Sequence, residues 1–385
     1  MNNTLDLKTL TERLLTQLDS KIPDYATDIH REPAAAYTDP QAFARERQIL
    51  FRHHAVFGGW SAQLPDRDSF KTLTVADVPL LLTRDREGRL HGFRNACRHR
   101  GMLLTQTPAG CAARFTCPFH GWTYDSQGKL IGIPSRDAFP GITKDSHSLA
   151  PIQVAEKYGL IFLRVEGGEP IDVDEHLAGL GPQLASFGWD TWRAGEQRSL
   201  NIPVNWKLIM DGFCEGYHFG IVHAKTLSAV VLTNTHVVDS FGPHIRELFG
   251  NHGLLEMKSQ PVAARANPRL GADVALIYLI FPNLVLIGLD RGGWEAISIW
   301  PGDTVGETFV EEVRLIASDL SPEDSQAIEH RFSFNWEKVI QGEDIPLSIG
   351  AWQALKGGSV SELIFGRNEM PLQHLHQHYH RALTP

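Results

Sequence analysis

Hydrophobic residues recur at two different spacings along the chain, and the change in spacing divides it into regions. Leu7, Leu10, Leu14 and Leu18 are three and four residues apart, which predicts an amphipathic helix over residues 5–20. From about residue 55 to 165, short runs of β-favouring residues alternate with turns rich in Gly, Pro and Asp. The second pattern is typical of a small all-β domain.

The chain beyond residue 167 has a mixed pattern. Residues 172–187 and 204–230 have helical spacing, whereas four apolar runs between residues 274 and 317 predict strands of an antiparallel sheet. Ser321-Pro322-Glu323-Asp324 is a capping sequence that begins a further helix. We therefore expect an α+β fold in three parts: an N-terminal helical segment at 1–40 that packs on the last part, an all-β domain at 41–166, and a larger domain at 167–385 with helices covering the sheet.

Composition narrows the class of protein. The 385 residues include 36 Lys and Arg against 45 Asp and Glu, a net charge of −9 that argues against binding nucleic acid or anionic membranes. Four cysteines do not make a disulfide scaffold, which favours a reducing cytoplasm. The N-terminus has charges where a signal peptide has an apolar stretch. Pro282 and Asn283 interrupt the longest apolar run, so no membrane span is expected.

Two closely spaced Cys/His pairs lie in the all-β region. Cys97-x-His99 and Cys117-x-x-His120 each offer one sulfur and one imidazole, a combination that holds metal. A structural zinc site would accept the same four ligands in a tetrahedron, so spacing alone leaves zinc open. Flanking Gly, Pro, Trp and Tyr residues favour tight turns and a shielded iron–sulfur cluster instead.

With their flanking residues, the two pairs resemble the Rieske 2Fe–2S motif, and among Rieske proteins they resemble the α subunits of ring-hydroxylating oxygenases: Cys97-Arg98-His99-Arg100-Gly101 and Cys117-Pro118-Phe119-His120-Gly121-Trp122-x-Tyr124. The resemblance implies that Cys97 and Cys117 hold one iron and that His99 and His120 hold the other. Cys111 matches no ligand position and is interpreted as a small loop hydrophobe.

A second candidate metal site follows in the region with helical spacing. On a continuous helix, Asp211, Glu215 and His218 would share one face, and His223 would reach the same metal only where the helix ends or loosens. Two histidines among 18 are weak evidence on their own. A third ligand, a carboxylate, would complete the set that leaves iron(II) open positions for dioxygen.

The same family resemblance covers this region, through Asn205-Trp206-Lys207, Glu215, Tyr217, His218 and His223, and the later Gly366 to Glu369. It implies iron ligation by His218, His223 and a carboxylate from a later helix, where Asp344 is the better match and Glu343 the fallback. It also gives Glu215 the role of linking the cluster of one subunit to the iron of its neighbour. Gly212 replaces the Asn usual in the family, and Glu215 replaces the usual Asp, as in oxygenases of quaternary ammonium compounds.

Four alternating histidines near the C-terminus form two further pairs, His374/His378 and His376/His380. No cysteine or carboxylate is expected to complete either pair, so we expect a terminal helix packed on the larger domain rather than a metal site. Phe213, Phe219, Leu227, Ile297 and the strands around residues 278–289 are expected to line an apolar substrate pocket.

The family resemblance implies a terminal oxygenase component with a helix-grip-like catalytic domain at 167–385. It implies that O2 and electrons from NAD(P)H, delivered by a separate reductase either directly or through a ferredoxin, hydroxylate a small apolar or aromatic substrate, as in aromatic hydrocarbon catabolism. The alternative substrate is a quaternary ammonium or betaine compound. Family likeness also implies a head-to-tail homotrimer with electron transfer between subunits. The rival from another class is a Rieske electron carrier or sensor with an inactive second site.

Overall fold

A computed structural model describes residues 5–22, 24–262, 265–290 and 292–384, which fall into two compact units. One unit is Phe51–His176, and the other joins Met1–Leu50 to Leu177–Pro385. Compared with the 41–166 range expected from sequence, both boundaries of the first unit lie ten residues later in the chain. No helix among the described residues is long and apolar enough to cross a membrane.

Helices and strands are numbered here in chain order. The α-helices are α1 Leu7–Ser20, α2 Ala35–Thr38, α3 Pro40–Glu46, α4 Val173–His176, α5 Gly181–Ala185, α6 Trp206–Asp211, α7 Phe219–Val222, α8 Gly253–Lys258, α9 Pro322–Phe334, α10 Ile345–Lys356 and α11 Met370–Leu383. The strands are β1 His30–Pro33, β2 Val56–Trp60, β3 Ser69–Val75, β4 Val78–Arg84, β5 Leu90–Arg94, β6 Ala109–Cys111, β7 Arg114–Thr116, β8 Thr123–Asp125, β9 Leu130–Gly132, β10 Gln153–Lys157, β11 Leu160–Arg164, β12 Arg193–Ile202, β13 Val231–Phe241, β14 His244–Asn251, β15 Val274–Ile280, β16 Leu284–Asp290, β17 Gly293–Pro301, β18 Thr308–Ile316 and β19 Glu362–Phe365.

The unit Phe51–His176 is built from three small antiparallel sheets, in the orders β5-β4-β3-β6, β7-β8-β9 and β10-β11-β2. The other unit contains a seven-stranded antiparallel sheet in the order β12-β18-β17-β16-β15-β14-β13. The four strands predicted between residues 274 and 317 are β15 to β18, which are consecutive neighbours in this sheet. The α+β prediction, an all-β part and a larger part with helices on an antiparallel sheet, is confirmed.

The helix expected over residues 204–230 is not continuous, and that prediction was wrong. Helix α6 ends at Asp211, and α7 begins only at Phe219. Between them the Glu215 carboxylate accepts hydrogen bonds from the backbone N–H groups of Tyr217 and His218. This side-chain turn competes with helical hydrogen bonding, and Gly212 and Gly216 weaken the helix further. Likewise, residues 172–187 form the two short helices α4 and α5 rather than one.

The helix that begins after Ser321 is confirmed, and it changes character before it ends. The Ser321 hydroxyl accepts from the backbone N–H of Asp324 at 3.1 Å and so caps α9. Residues Asn335–Asp344 then form a π-helix that leads directly into α10. Pro346, in the first turn of α10, has no N–H to donate and would crowd the carbonyl four residues earlier. The wider turn accommodates this proline.

A buried ion pair joins α3 to α6. Glu46 accepts a hydrogen bond from Trp206 Nε1 at 2.8 Å with one carboxylate oxygen and contacts Lys207 Nζ with the other. Both charged side chains are under 5% exposed. Asn205 caps α6 by accepting from Lys207 N at 3.0 Å. The Asn205-Trp206-Lys207 sequence therefore positions the helix that precedes the candidate metal site.

Replacing Glu46 with Ala should destabilise the protein by about 3–5 kcal/mol, because the Lys207 ammonium would remain buried without its partner. The control is Glu362→Ala, which removes the exposed partner of Arg31 and should cost under about 1 kcal/mol. Urea unfolding followed by tryptophan fluorescence measures both. Equal midpoints for the two variants would contradict the assigned role of the pair.

Candidate metal centres

The four Rieske-type ligands predicted from sequence lie together on two loops of similar shape. Cys97 and Cys117 each accept a hydrogen bond at their carbonyl from the N–H of a glycine four residues later, Gly101 at 2.9 Å and Gly121 at 3.0 Å. Both glycines have φ near +75°, a backbone conformation that side chains rarely adopt. The repeated Cys-to-Gly spacing in the sequence therefore corresponds to a repeated turn.

The sulfur side of this site is buried and the imidazole side reaches the surface. Cys97 and Cys117 are each 3% exposed, whereas His120 is exposed and His99 is half-buried. Ring centroids of the two histidines are 4.7 Å apart, and His99 stacks on the buried Trp122 at 5.0 Å. The arrangement gives two buried thiols on one side and two imidazoles on the other.

Several polar atoms at this site have a chemistry that suits a metal cluster. His99 Nδ1 is buried and has no hydrogen-bond partner among the described residues. Burial, together with His120 and Arg100, lowers the pKa of His99, which favours the neutral ring that ligation requires. Burial raises the pKa of the Cys97 thiol, so metal must displace a proton there. These residues fit a 2Fe–2S cluster.

Tyr124 contacts the first of the two loops through its hydroxyl group. Its hydroxyl oxygen accepts from the backbone N–H of Arg98 at 2.9 Å and lies 3.5 Å from Cys97 Sγ. A Cys97 bound to a cluster is a thiolate without a proton, so the Tyr124 hydroxyl would then be the donor to sulfur. Hydrogen bonds to sulfur tune the potential of iron–sulfur clusters.

The second predicted ligand set converges in the larger unit. His218 Nε2 and His223 Nε2 are 3.1 Å apart, and Asp344 Oδ1 lies 3.2 Å from His223 Nε2 and 3.7 Å from His218 Nε2. The three ligand atoms lie within 4.8 Å of one another. Both imidazoles reach this point because α6 ends at Asp211 and the short α7 ends at Val222. Two imidazoles and one carboxylate are the donor set suited to non-haem iron(II).

Each imidazole is oriented by a carboxylate at its other nitrogen. His218 Nδ1 contacts Glu215 Oε1, and His223 Nδ1 lies 2.7 Å from Glu343 Oε2. Thr226 donates to the same Glu343 oxygen at 2.6 Å. Glu343 therefore lies behind His223, and Asp344 lies at the ligand point. Burial favours the neutral ring of His223, but the carboxylates of Asp344 and Glu343 favour the protonated ring more strongly. The net effect is a raised pKa for His223.

Asp211 does not join Glu215 and His218, contrary to the prediction from a continuous helix. Its carboxylate accepts from the Tyr37 hydroxyl at 2.6 Å and lies 2.8 Å from His376 Nε2. Helix α11 carries His376 and packs on this unit as expected. The expectation that no carboxylate completes the C-terminal histidine pairs was wrong, because Glu32, far away in sequence, contacts His380.

An apolar cavity of about 80 Å³ opens at the second ligand set. Glu215, His218, His223 and Asp344 form one side of it. Its other lining residues are Gly212, Phe213, Phe219, Leu227, Val231, Phe249, Ala275, Ile277, Ile287, Asn335, Val339 and Ile340. Phe213, Phe219 and Leu227 were expected in this lining. Ile297 and Tyr278 were also expected but do not line it, and Tyr278 instead donates to Gln183 at 3.3 Å.

The π-helix provides both a metal-site carboxylate and part of the cavity wall. Asn335, Val339, Ile340 and Asp344 are four or five residues apart, the spacing that places side chains on one face of a π-helix. Among the described lining residues, Asn335 carries the amide side chain, and its Nδ2 donates to the buried Glu295 at 2.9 Å. Sequence reasoning missed Asn335 and the position of Glu343, because a regular helix would direct them elsewhere.

Two protein families match the chain. Residues 189–384 match the catalytic domain of the ring hydroxylating alpha subunit, and residues 56–150 match the Rieske 2Fe-2S domain. The glycine betaine monooxygenase oxygenase subunit of Chromohalobacter salexigens is 30% identical over 52% of this chain and 45% of its own length. The biphenyl 2,3-dioxygenase subunit alpha of Rhodococcus jostii is 31% identical over 56% of this chain and 49% of its own length.

The chain thus spans about half the length of these curated relatives. Among solved structures, the quaternary ammonium Rieske monooxygenase CntA in complex with an inhibitor superposes with a TM-score of 0.78 at 19% identity. That match covers 98% of this chain and 99% of the other. At this identity the likeness bears on the fold alone.

Glu343→Gln should weaken iron binding at His218, His223 and Asp344 by about 10–100-fold, because Glu343 orients the His223 ring. The matched control is Glu337→Gln, an exposed position on the same π-helix whose partner is Arg198. Dialysis against a graded iron chelator followed by iron analysis measures retention. Identical iron loss from both variants would mean that Glu343 does not support the ligand.

Proposed function

The chain belongs to the family of ring hydroxylating alpha subunits, and from this premise we propose that it is the terminal oxygenase component of a Rieske non-haem iron system. The proposed reaction uses O2 and electrons from NAD(P)H to hydroxylate a small, largely apolar or aromatic substrate. The observation that carries the proposal is the apolar cavity that ends at His218, His223 and Asp344. A Rieske electron carrier or sensor would need no such cavity.

In this proposal, His218, His223 and Asp344 hold a mononuclear iron, and Cys97, His99, Cys117 and His120 hold the 2Fe–2S cluster. When bound, the cluster supplies single electrons and the iron activates O2. The chain's own residues prepare the site for both groups. Glu215 and Glu343 fix the orientation of the two imidazoles, and the apolar walls exclude water from the reacting substrate.

The cavity favours a neutral substrate over a carboxylate. No Lys or Arg is among the described residues that line it, so a substrate carboxylate would lose its water without gaining an ionic partner. The volume of about 80 Å³ is small compared with the roughly 300–1,000 Å³ of sites for drug-sized ligands. A compact neutral ring or alkyl group suits these walls best.

A quaternary ammonium substrate is the second candidate. Phe213, Phe219 and Phe249 supply aromatic surfaces that attract an alkylated cation, and Glu215 adds a negative charge at the cavity. The similarity to glycine betaine monooxygenase supports this candidate. However, the carboxylate of a betaine again has no cationic partner in the cavity, so choline-like cations fit better than betaines.

The proposed reaction consumes electrons, and this requirement indicates which partner proteins the chain needs. All five sheets formed by the described residues are antiparallel, whereas dinucleotide-binding folds use parallel sheets. We therefore place NAD(P)H oxidation on a separate reductase, acting directly or through a ferredoxin. The exposed His120 edge suits approach by another protein. We further propose a cytoplasmic homotrimer in which Glu215 links the iron to the cluster of a neighbouring subunit, and a role in aromatic hydrocarbon catabolism.

Asp344→Ala tests the proposed reaction. With a surrogate reductase, NADH and O2, product formation should fall below detection, because the third iron ligand is gone. The visible spectrum of the cluster should remain, because Asp344 lies outside the unit that carries Cys97 and Cys117. Glu337→Ala is the control and should keep full activity. Turnover that survives in Asp344→Ala would remove Asp344 from the ligand set and with it the proposed site.

Toluene and benzoate form a matched pair of substrates for testing the neutral cavity, since they differ only in a methyl and a carboxylate group. We expect kcat/KM for toluene to exceed that for benzoate by about 100-fold or more, the cost of burying an unpaired carboxylate. Product analysis alongside O2 uptake separates hydroxylation from uncoupled turnover. Choline and glycine betaine extend the comparison to the second candidate. A preference for benzoate or glycine betaine would contradict the claim that the cavity disfavours a substrate carboxylate.

A further inference from the structure

A second group of metal-binding side chains meets where β1 lies beside α11, outside the cavity. His30 Nε2 is 2.9 Å from Glu32 Oε2, and His380 Nε2 is 2.9 Å from both carboxylate oxygens of Glu32. One ligand atom from each residue lies within 4.8 Å of the other two. None of these residues takes part in the iron–sulfur or iron sites described above.

Regular backbone elements position the group. His30 and Glu32 are two residues apart on β1, so their side chains lie on the same face of the strand. Strand β1 is paired along its length with β19, which fixes its register. His380 comes from α11, a helix of 14 residues. The three ligands are therefore held by two ordered elements, which lowers the entropy cost of binding an ion.

The surrounding charges leave room for a cation. Glu32 is fully buried, and His376 Nδ1 is 3.6 Å from it. The same His376 ring binds Asp211 through Nε2 at 2.8 Å. Two carboxylates, Asp211 and Glu32, therefore share the one His376 ring. The other close contacts of Glu32 are with His30 and His380.

We propose that His30, Glu32 and His380 form a site for Zn²⁺ or a similar divalent transition metal, separate from the iron centres. Imidazole nitrogens and a carboxylate oxygen are ordinary zinc ligands, with solvent completing a tetrahedron. Metal–ligand lengths of about 2.0–2.1 Å require ligand atoms roughly 3.3 Å apart, so the two 2.9 Å contacts with Glu32 need only a small outward shift. The His380 side chain is 52% exposed, which gives the ion a route of access.

Zinc at this site would tie β1 to α11 and so connect the N-terminal and C-terminal segments of the unit. The His374/His378 pair on the same helix is a natural comparison. Their ring centroids are 4.5 Å apart, but His374 bonds the carbonyl of Gly242 and His378 lies near Arg381. The arginine charge and the lack of a nearby carboxylate in the contacts of this pair make it a poorer cation site. His378 is therefore the matched control position.

The test is zinc titration of the untagged, iron-loaded enzyme by calorimetry, with metal analysis after desalting. We expect one zinc per chain beyond the iron already present, with unchanged iron content. His30→Ala and His380→Ala should each weaken zinc binding by at least about tenfold, and His378→Ala should leave it unchanged. Equal zinc affinity in all variants, or zinc taken up only as iron is lost, would overturn the proposal.

Zinc K-edge absorption on the unaltered protein keeps the test independent of how the variants fold. The proposal predicts a shell of nitrogen and oxygen neighbours with the multiple-scattering signature of two imidazoles. Sulfur neighbours, or a shell without imidazole, would overturn the assignment to His30, Glu32 and His380. Because the site is separate from the iron centres, this result does not depend on whether the chain is an oxygenase.

Discussion

The approach of one carboxylate to two imidazoles is the constraint on which the larger unit depends. His218 and His223 flank the short helix α7, one before its start and one after its end, and Asp344 comes from a helix more than a hundred residues later. Polar groups gathered at the end of an apolar cavity lose hydration unless new partners compensate for it. Glu215 and Glu343 compensate in part by binding the outer nitrogens of the rings. A metal ion between the inner atoms would complete the balance.

Two irregular stretches of backbone bring the three ligand side chains together. The chain leaves the helix at Gly212, so His218 and His223 face one point instead of opposite sides of a helix. The π-helix at Asn335–Asp344 widens before Pro346 and carries Asp344 to the same point. Both departures from regular structure occur where ligands are supplied, as is common for π-helices at functional sites. The same π-helix forms part of the cavity wall, so the substrate space and the metal site are built together.

Sequence alone predicted what short-range patterns encode. The Cys/His pairs, the strands at β15 to β18 and the cap at Ser321 depend on neighbouring residues, and the structure places them as expected. The sequence could not predict contacts between distant segments: Asp211 with His376, Glu32 with His380, and Glu343 behind His223. The break after Asp211 was missed because helical spacing continues in the sequence, while the competing hydrogen bonds from Glu215 are visible only in three dimensions. Asp344 was proposed as a ligand from family resemblance rather than from spacing.

The central claim is that one chain holds two different iron centres, a cluster at Cys97, His99, Cys117 and His120 and a single iron at His218, His223 and Asp344. Quantifying iron and acid-labile sulfide in the purified, reconstituted protein tests it most directly. The account predicts three irons and two sulfides per chain, since a 2Fe–2S cluster accounts for two of each. Two irons with two sulfides would leave a Rieske protein without a catalytic iron and would contradict the account.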